Sequence, residues 1–159
     1  MAYVKNANQN KMNIFGLGSD LVNIKRIQSI LRNNRNFKKR VFSKKEISLG
    51  SKKNNQSNYY AKRFAAKEAF SKALGTGISK GLSFKDIEIT NNKKGKPILN
   101  INGESKKIIK KLIKKKFKTF VSLSDEFLKA RENINKYLRK LNWTGGFYRK
   151  DIGYKVINK

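Results

Sequence analysis

The hydrophobic positions in the first half of the chain predict a strand that leads into a helical region. Residues 14–18 (IFGLG) form a short apolar run typical of a buried strand, and apolar residues then recur at helical spacing over 21–31. Ser43 and Glu46 match a capping box, in which two residues three positions apart open a helix. We therefore expect at least two helices before residue 50.

The strongest helical pattern lies over residues 59–74, where alanine and aromatic residues share one side. Gly75 follows it and is typical of a helix C-cap. The polar segment 50–58 (GSKKNNQSN) lacks apolar periodicity and is predicted as a loop. A long helix at the centre of the chain is therefore expected.

The second half of the chain alternates between strand and helix patterns. These patterns predict a hairpin over 86–102, an amphipathic helix over 104–116, a strand over 119–124, a helix over 127–141 and, after a glycine-rich break, a final strand over 152–157. Antiparallel strands mixed with helices indicate the α+β class, with a small antiparallel sheet packed against the long helix.

The chain carries a large excess of positive charge. Its 159 residues include 39 Lys+Arg and 10 Asp+Glu, which gives a formal net charge of +29. Such a charge favours polyanionic partners, and a basic nucleic-acid-binding protein is one interpretation. Lysine supplies most of the charge, however, whereas nucleic-acid contacts rely more on arginine. The lysines over 106–118 are therefore assigned to a solvated helix face, and no specific nucleic-acid partner is expected.

The residue types that the sequence lacks limit its chemistry. It has no Cys and no His, which excludes thiolate metal sites, cysteine nucleophiles and the commonest general base. No apolar run approaches the roughly 20 residues that cross a bilayer, and the first residues lack the apolar core of a signal peptide. We expect a cytoplasmic protein with no membrane partner, whose chemistry uses carboxylates, lysine, hydroxyls or a hard metal ion.

Two carboxylates stand out among the ten acidic residues. Asp20 follows the first predicted strand where a helix begins, although a helix N-cap would explain it equally well. Glu68 lies in the middle of the long helix, where an ion pair with Lys72 is the alternative explanation. The glycines of the 75–77 segment (GTG) are able to present backbone N–H groups to a phosphate, although this is not a Walker loop. Together these features suggest Mg²⁺ between carboxylates and a diphosphate.

Several motifs resemble one known family. Residues 16–22 (GLGSDLV) and 63–78 (RFAAKEAFSKALGTGI) closely resemble holo-(acyl-carrier-protein) synthases, the small bacterial type of 4′-phosphopantetheinyl transferase. Further matches follow in the family's order at 81–89 (GLSFKDIEI), 95–97 (GKP) and 121–124 (VSLS). The resemblance predicts a transferase domain over 13–125, preceded by a disordered leader over 1–12 and followed by a divergent C-terminal segment over 126–159.

The resemblance implies the fold of 4′-phosphopantetheinyl transferases and a Mg²⁺-dependent reaction. The phosphopantetheine group of coenzyme A would pass to a serine of apo-acyl carrier protein, and adenosine 3′,5′-bisphosphate would be released. By this resemblance Asp20 and Glu68 would hold the metal, and Lys72 would stabilise phosphate charge. Glu68 and Lys72 are then the expected catalytic residues. Because the chain has no His, the serine proton would pass to metal-bound water or to Glu68.

The resemblance also implies binding residues and partners. Coenzyme A would be bound by Arg63, Gly75, Thr76 and Gly77. The acidic carrier protein would be bound by Arg26, with Arg35 and Arg40 as further candidates. Bacterial members form trimers with the site between subunits, so a homotrimer is expected by analogy.

The sequence departs from the family pattern in two respects. Asn23 stands where the family often has Glu, and Phe120 and Asp125 stand where it has His. The family also ends in an apolar strand after 121–124, whereas this chain continues with a helical pattern. Either the strand over 152–157 replaces the missing strand, or the sheet lacks an edge. An inactive relative that only binds carrier protein is therefore a further alternative.

Overall fold

The computed structural model describes residues 14–124, 136, 147–150 and 153–156. Its regular elements, in chain order, are α1 (Ile24–Asn33), α2 (Phe37–Val41), α3 (Lys44–Ser51), α4 (Gln56–Leu74), a short 3₁₀ helix (Phe84–Asp86), β1 (Ile87–Asn91), β2 (Pro97–Ile101), α5 (Gly103–Ile113), β3 (Phe147–Lys150) and β4 (Gly153–Val156). This is an α+β arrangement in which α4 contacts α1, α3 and β1, as the sequence predicts.

The ends of the long helix α4 follow from local chemistry. The Asn55 side chain accepts a hydrogen bond from the backbone N–H of Asn58 and caps the N-terminus. At the other end Gly75 adopts φ +72°, a left-handed conformation that glycine reaches without a Cβ clash. The helix begins three residues earlier than the pattern over 59–74 predicts, so the loop before it is shorter than 50–58.

The sheet that contacts α4 is the antiparallel hairpin formed by β1 and β2. Ile87 pairs with Ile101, and Asn91 pairs with Pro97, in agreement with the hairpin predicted over 86–102. Burial of apolar side chains between this hairpin and α4 forms one part of the core, made of Ala66, Ile87, Ile89 and Leu99.

Two further clusters complete the core. One lies between α4 and the first three helices and consists of Ile27, Val41, Phe42, Tyr59, Tyr60 and Ala61. The other joins the end of α4 to α5 and consists of Leu74, Leu82 and Ile109. The predicted capping box is confirmed at α3, because Ser43 and Glu46 each bond to the other's backbone N–H.

Two predicted strands are wrong. Residues 14–18 and 119–124 form no strand, since neither segment enters a hydrogen-bonded ladder with another described segment. The first segment is also less buried than predicted, because the Phe15 side chain is 53% exposed. The second lies beside β2, where the Thr119 hydroxyl donates to the Leu99 carbonyl at 3.3 Å.

The C-terminal predictions are tested only in part. Of the helix predicted over 127–141 the structure describes Lys136 alone, which is helical, and the glycine-rich break lies outside the described residues. The predicted final strand exists as β4, but it pairs with β3, and the described residues show no pairing between it and the β1–β2 hairpin. Within the described ranges, no helix is long and apolar enough to span a membrane.

Candidate active site

The segment before α1 lies directly against α4. A Cβ atom added to Gly16 would overlap the backbone carbonyl of Ala73, and one added to Gly18 would overlap that of Ala69. Small residues on both sides therefore allow the two backbones to touch. This contact fixes the position of Asp20, which follows two residues after Gly18.

Asp20 forms an ion pair with the long helix. Its Oδ1 atom lies 2.5 Å from Nζ of Lys72, and the two side chains are 15% and 47% exposed, respectively. Asp20 is not a helix N-cap, because that role belongs to Asn23, whose Oδ1 accepts from the backbone N–H of Arg26. The alternative explanation for Asp20 is therefore wrong.

Glu68 lies one helical turn before Lys72 on α4. Burial raises the pKa of the Glu68 carboxyl, the negative charge of Asp20 raises it further, and the positive charge of Lys72 lowers it. Asp20, Glu68 and Lys72 thus interact electrostatically, and we call these three residues the carboxylate–lysine cluster. The structure brings together the residues that the sequence predicts as metal ligands and phosphate contact.

The donor set of this cluster fits Mg²⁺. Mg²⁺ commonly binds one or two carboxylates and completes its shell with water and substrate phosphate oxygens. Asp20 and Glu68 supply two such carboxylates, and both side chains are partly accessible to solvent. Among the residues that the structure describes, no group of three or more Asp, Glu, His or Cys comes together as a metal site, either here or elsewhere.

The predicted coenzyme A loop follows directly after this cluster. Gly75 and Gly77 adopt φ +72° and +61°, and a Cβ at either would meet open space, so the backbone conformation explains both glycines. The Gly75 N–H already donates to the Lys72 carbonyl, and the Thr76 hydroxyl donates to the Gly77 carbonyl at 3.1 Å. The loop is largely exposed and lies one turn of helix from Lys72.

Arg63, which the resemblance predicts to bind coenzyme A, instead lies buried in the core of this chain. Its guanidinium is buried, donates to the Ile89 and Tyr59 carbonyls at 3.2 Å each and to Asn91 Oδ1 at 3.1 Å, and lies 3.4 Å from the Tyr59 ring centroid. Burial lowers the pKa of Arg63. The contacts with Ile89 and Asn91 tie α4 to β1, and those with Tyr59 lie within α4, so this side chain is not brought to the carboxylate–lysine cluster.

Lys67 and Glu46 form a buried ion pair that the sequence analysis missed. Lys67 Nζ lies 2.7 Å from Glu46 Oε2, both side chains are 0% exposed, and the same ammonium donates to the Val41 and Phe84 carbonyls at 2.9 Å. Burial lowers the pKa of Lys67, and the facing carboxylate opposes that effect. The Lys-Glu dipeptide at 67–68 therefore has one buried and one accessible charge. The helical period predicts this division, since adjacent residues point about 100° apart.

The arginines predicted to bind carrier protein lie at the surface. Arg26 is exposed in the first turn of α1, six residues after Asp20. Arg35 lies between α1 and α2, and Arg40 lies in α2; both are exposed. Of the three, Arg26 is nearest along the chain to Asp20.

Comparisons with known proteins agree with this fold. Residues 16–131 match the 4′-phosphopantetheinyl transferase superfamily. The chain belongs to this superfamily, and the predicted fold and class of enzyme are confirmed. Within it, the chain is similar to a holo-(acyl-carrier-protein) synthase from Pelagibacter ubique, with 52% identity over 116 residues that cover 72% of this chain and 90% of the relative.

Two solved structures show the same similarity. A holo-(acyl-carrier-protein) synthase from Plasmodium yoelii has a TM-score of 0.61 and 38% identity, covering 72% of this chain and 87% of that one. A holo-(acyl-carrier-protein) synthase from Bacillus anthracis, in complex with coenzyme A (3′,5′-ADP), has a TM-score of 0.51 and 42% identity, covering 57% of this chain and 78% of that one.

Proposed function

We propose that this chain transfers 4′-phosphopantetheine from coenzyme A to a serine of apo-acyl carrier protein in a Mg²⁺-dependent reaction. The observation that carries the proposal is the carboxylate–lysine cluster, in which Asp20 pairs with Lys72 at 2.5 Å beside Glu68. The cluster offers two carboxylates for a cation and one ammonium for an anion. A relative of this chain binds coenzyme A, which carries a diphosphate.

The reaction would transfer the phosphopantetheine group through its phosphorus atom. The serine hydroxyl oxygen forms a bond to the β-phosphorus, and the bond from that phosphorus to the bridging oxygen of the diphosphate breaks. Adenosine 3′,5′-bisphosphate leaves with the bonding electron pair. Mg²⁺ bound to Asp20 and Glu68 would supply charge neutralisation for the diphosphate.

The chain's own residues would bind the diphosphate and accept the proton. Lys72 is half-exposed on a flexible stem and would place its ammonium against phosphate oxygens. The Glu68 carboxylate lies one helical turn before Lys72, is partly accessible to solvent and would accept the serine proton. Gly75, Thr76 and Gly77 would lie along the coenzyme A, since they follow Lys72 directly at the surface. Arg63 takes no part in this assignment because its donors already bind backbone and Asn91.

The remaining assignments are part of the same proposal. Arg26, Arg35 and Arg40 would contact the acidic carrier protein, since all three are exposed. A homotrimer, a cytoplasmic location, a role in fatty acid biosynthesis and a transferase domain over 13–125 are proposed from the resemblance to holo-(acyl-carrier-protein) synthases.

The test is the mass of the carrier protein. The purified chain, coenzyme A, Mg²⁺ and a bacterial apo-acyl carrier protein should yield a carrier heavier by one phosphopantetheine group, measured by mass spectrometry of the intact protein. Chelation of the metal with EDTA should stop the reaction. Carrier binding without any mass gain would overturn the proposal and favour an inactive relative that only binds the carrier.

Two isosteric variants test the assignment of the metal ligands. Asp20→Asn and Glu68→Gln should each lower the initial rate by about 100-fold or more, because a metal ion contributes several kcal/mol of charge stabilisation. Glu104→Gln is the matched control, since the Glu104 side chain is 72% exposed on α5 and pairs only with Lys107 among the ion pairs of the described residues. Retention of activity in either site variant, with the control unchanged, would contradict the assignment.

A further inference from the structure

A lysine already occupies the carboxylate that the metal would need. Lys72 Nζ lies 2.5 Å from Asp20 Oδ1, and the Asp20 side chain is only 15% exposed. A divalent cation that binds through Oδ1 competes with the ammonium for that oxygen, because two positive charges at such a distance repel each other. Binding of the metal through Oδ1 therefore requires Lys72 to move.

We propose that Lys72 holds the metal position in the free chain and moves to the diphosphate when Mg²⁺ replaces it at Asp20. This inference rests on the proposed function and adds to it a thermodynamic coupling between Mg²⁺ binding and coenzyme A binding. Lys72 would leave Asp20 when the metal binds there, and a bound diphosphate would give its ammonium a new partner. Mg²⁺ and coenzyme A should therefore each strengthen the binding of the other, by the same factor.

The side chain of Lys72 is suited to such a movement. It is 47% exposed and carries its charge on a four-carbon stem, so its ammonium is able to leave Asp20 without a change in the helix backbone. The two cations nearest to it along the buried part of α4 are held elsewhere. Lys67 is bound by Glu46 and two carbonyls, and Arg63 is bound by two carbonyls and Asn91. Neither is therefore free to replace Lys72 in a variant that lacks it.

The negative charges of the cluster explain why Lys72 lies against Asp20 in the free chain. Asp20 and Glu68 carry charges of the same sign and repel each other, and the Lys72 ammonium, paired with Asp20, reduces this repulsion. The free chain thus has a cation at the site before any metal arrives. Removal of Lys72 should leave two carboxylates without this compensation and should make the free chain bind a divalent cation more tightly.

Isothermal titration of Mg²⁺ into the full chain, without coenzyme A or carrier, tests the proposal. Lys72→Met keeps the apolar stem and should bind Mg²⁺ about two- to fivefold more tightly than the wild type, the range expected from the strength of a partly exposed ion pair. Lys107→Met is the matched control, because it breaks the 2.7 Å pair with Glu104 on the surface of α5. Its Mg²⁺ affinity should equal that of the wild type, and Asp20→Asn should lose the binding.

A second titration measures the coupling. Saturating coenzyme A should increase the Mg²⁺ affinity of the wild type by a larger factor than that of Lys72→Met, after correction for Mg²⁺ bound by coenzyme A in buffer. The variant should also transfer phosphopantetheine more slowly while it binds the free metal more tightly. A merely structural role for Lys72 would not produce these opposite changes.

Two outcomes overturn the inference, and both are distinct from failure of the proposed function. The first is a Lys72→Met chain whose affinity for free Mg²⁺ equals or falls below that of the wild type, with melting temperature retained. The second is a Lys72→Met chain in which saturating coenzyme A increases the Mg²⁺ affinity by the same factor as in the wild type. Neither titration contains carrier protein. If the wild type transferred no phosphopantetheine, the proposed function would be rejected, but the two titrations would still test the role of Lys72.

Discussion

At the scale of single residues, the site depends on two glycines that carry no functional group. Gly16 and Gly18 lie against the carbonyls of Ala73 and Ala69, with no room for a Cβ. Alternate residues of an extended segment face the same side, and residues four apart on a helix do so as well. The pairs Gly16/Gly18 and Ala69/Ala73 therefore match each other, and their contact places Asp20 beside Lys72.

Gly18→Ala should both destabilise the chain and weaken its metal binding. The added methyl group would push the segment away from Ala69, at a cost of about 1–3 kcal/mol in the free energy of unfolding, as for other overpacked sites. The Mg²⁺ affinity should fall as well, because Asp20 would move with the segment. Urea denaturation and Mg²⁺ titration measure the two effects.

Ser19→Ala is the control for Gly18→Ala, since it lies between Gly18 and Asp20 and adds no atoms. Its stability should stay within about 0.5 kcal/mol of the wild type, as is usual for substitutions away from special features. Wild-type stability in Gly18→Ala would show that the segment does not lie against α4 in solution.

At the scale of elements, a buried ion pair joins three parts of the fold. Glu46 of α3 pairs with Lys67 of α4, and its Oε1 atom accepts from the backbone N–H of Ile89 in β1 at 3.0 Å. Its Oε2 atom also accepts from the Ser43 N–H at 2.8 Å, which completes the capping box. One carboxylate thus caps a helix, neutralises a buried ammonium and anchors a strand.

Glu46→Gln should be strongly destabilising, because it leaves the Lys67 ammonium buried without a counter-charge. The expected loss is about 3–5 kcal/mol in the free energy of unfolding, the range observed when one partner of a buried pair is removed. Glu104→Gln, in the exposed pair with Lys107, should cost no more than about 1 kcal/mol. Denaturation curves of both variants make the comparison, and equal losses would show that the Glu46 pair is accessible to water.

The elements that the sequence predicts correctly are those whose signals are local. The capping box at Ser43 and the hairpin turn before Pro97 each depend on residues a few positions apart. The strands predicted over 14–18 and 119–124 are wrong because a strand also needs a partner, and a short apolar run does not specify one. The burial of Arg63 is not predicted for a similar reason, since its acceptors on Ile89 and Asn91 are more than 25 residues away along the chain.

At the scale of the whole molecule, the net charge of +29 is distributed over surfaces with different roles. Lysines such as Lys106 and Lys110 lie exposed on α5, whose residue Ile109 is buried. This agrees with the solvated helix face that the sequence predicts. A dispersed positive surface attracts any polyanion at long range, whereas specific docking requires charges at the contact itself.

Arg26→Gln and Lys110→Gln separate these two effects. If the carrier protein docks beside the site, Arg26→Gln should raise the KM for carrier about two- to fivefold with little change in kcat, because Arg26 is exposed on α1 close along the chain to Asp20. Lys110→Gln removes the same charge from α5 and should leave both constants near the wild-type values. Initial rates at several carrier concentrations give KM and kcat for both variants. The same measurement at two salt concentrations is informative because an attraction by the whole surface weakens with salt equally in both variants. Equal increases in KM for the two variants would show that net charge, and not a docking surface on α1, attracts the carrier.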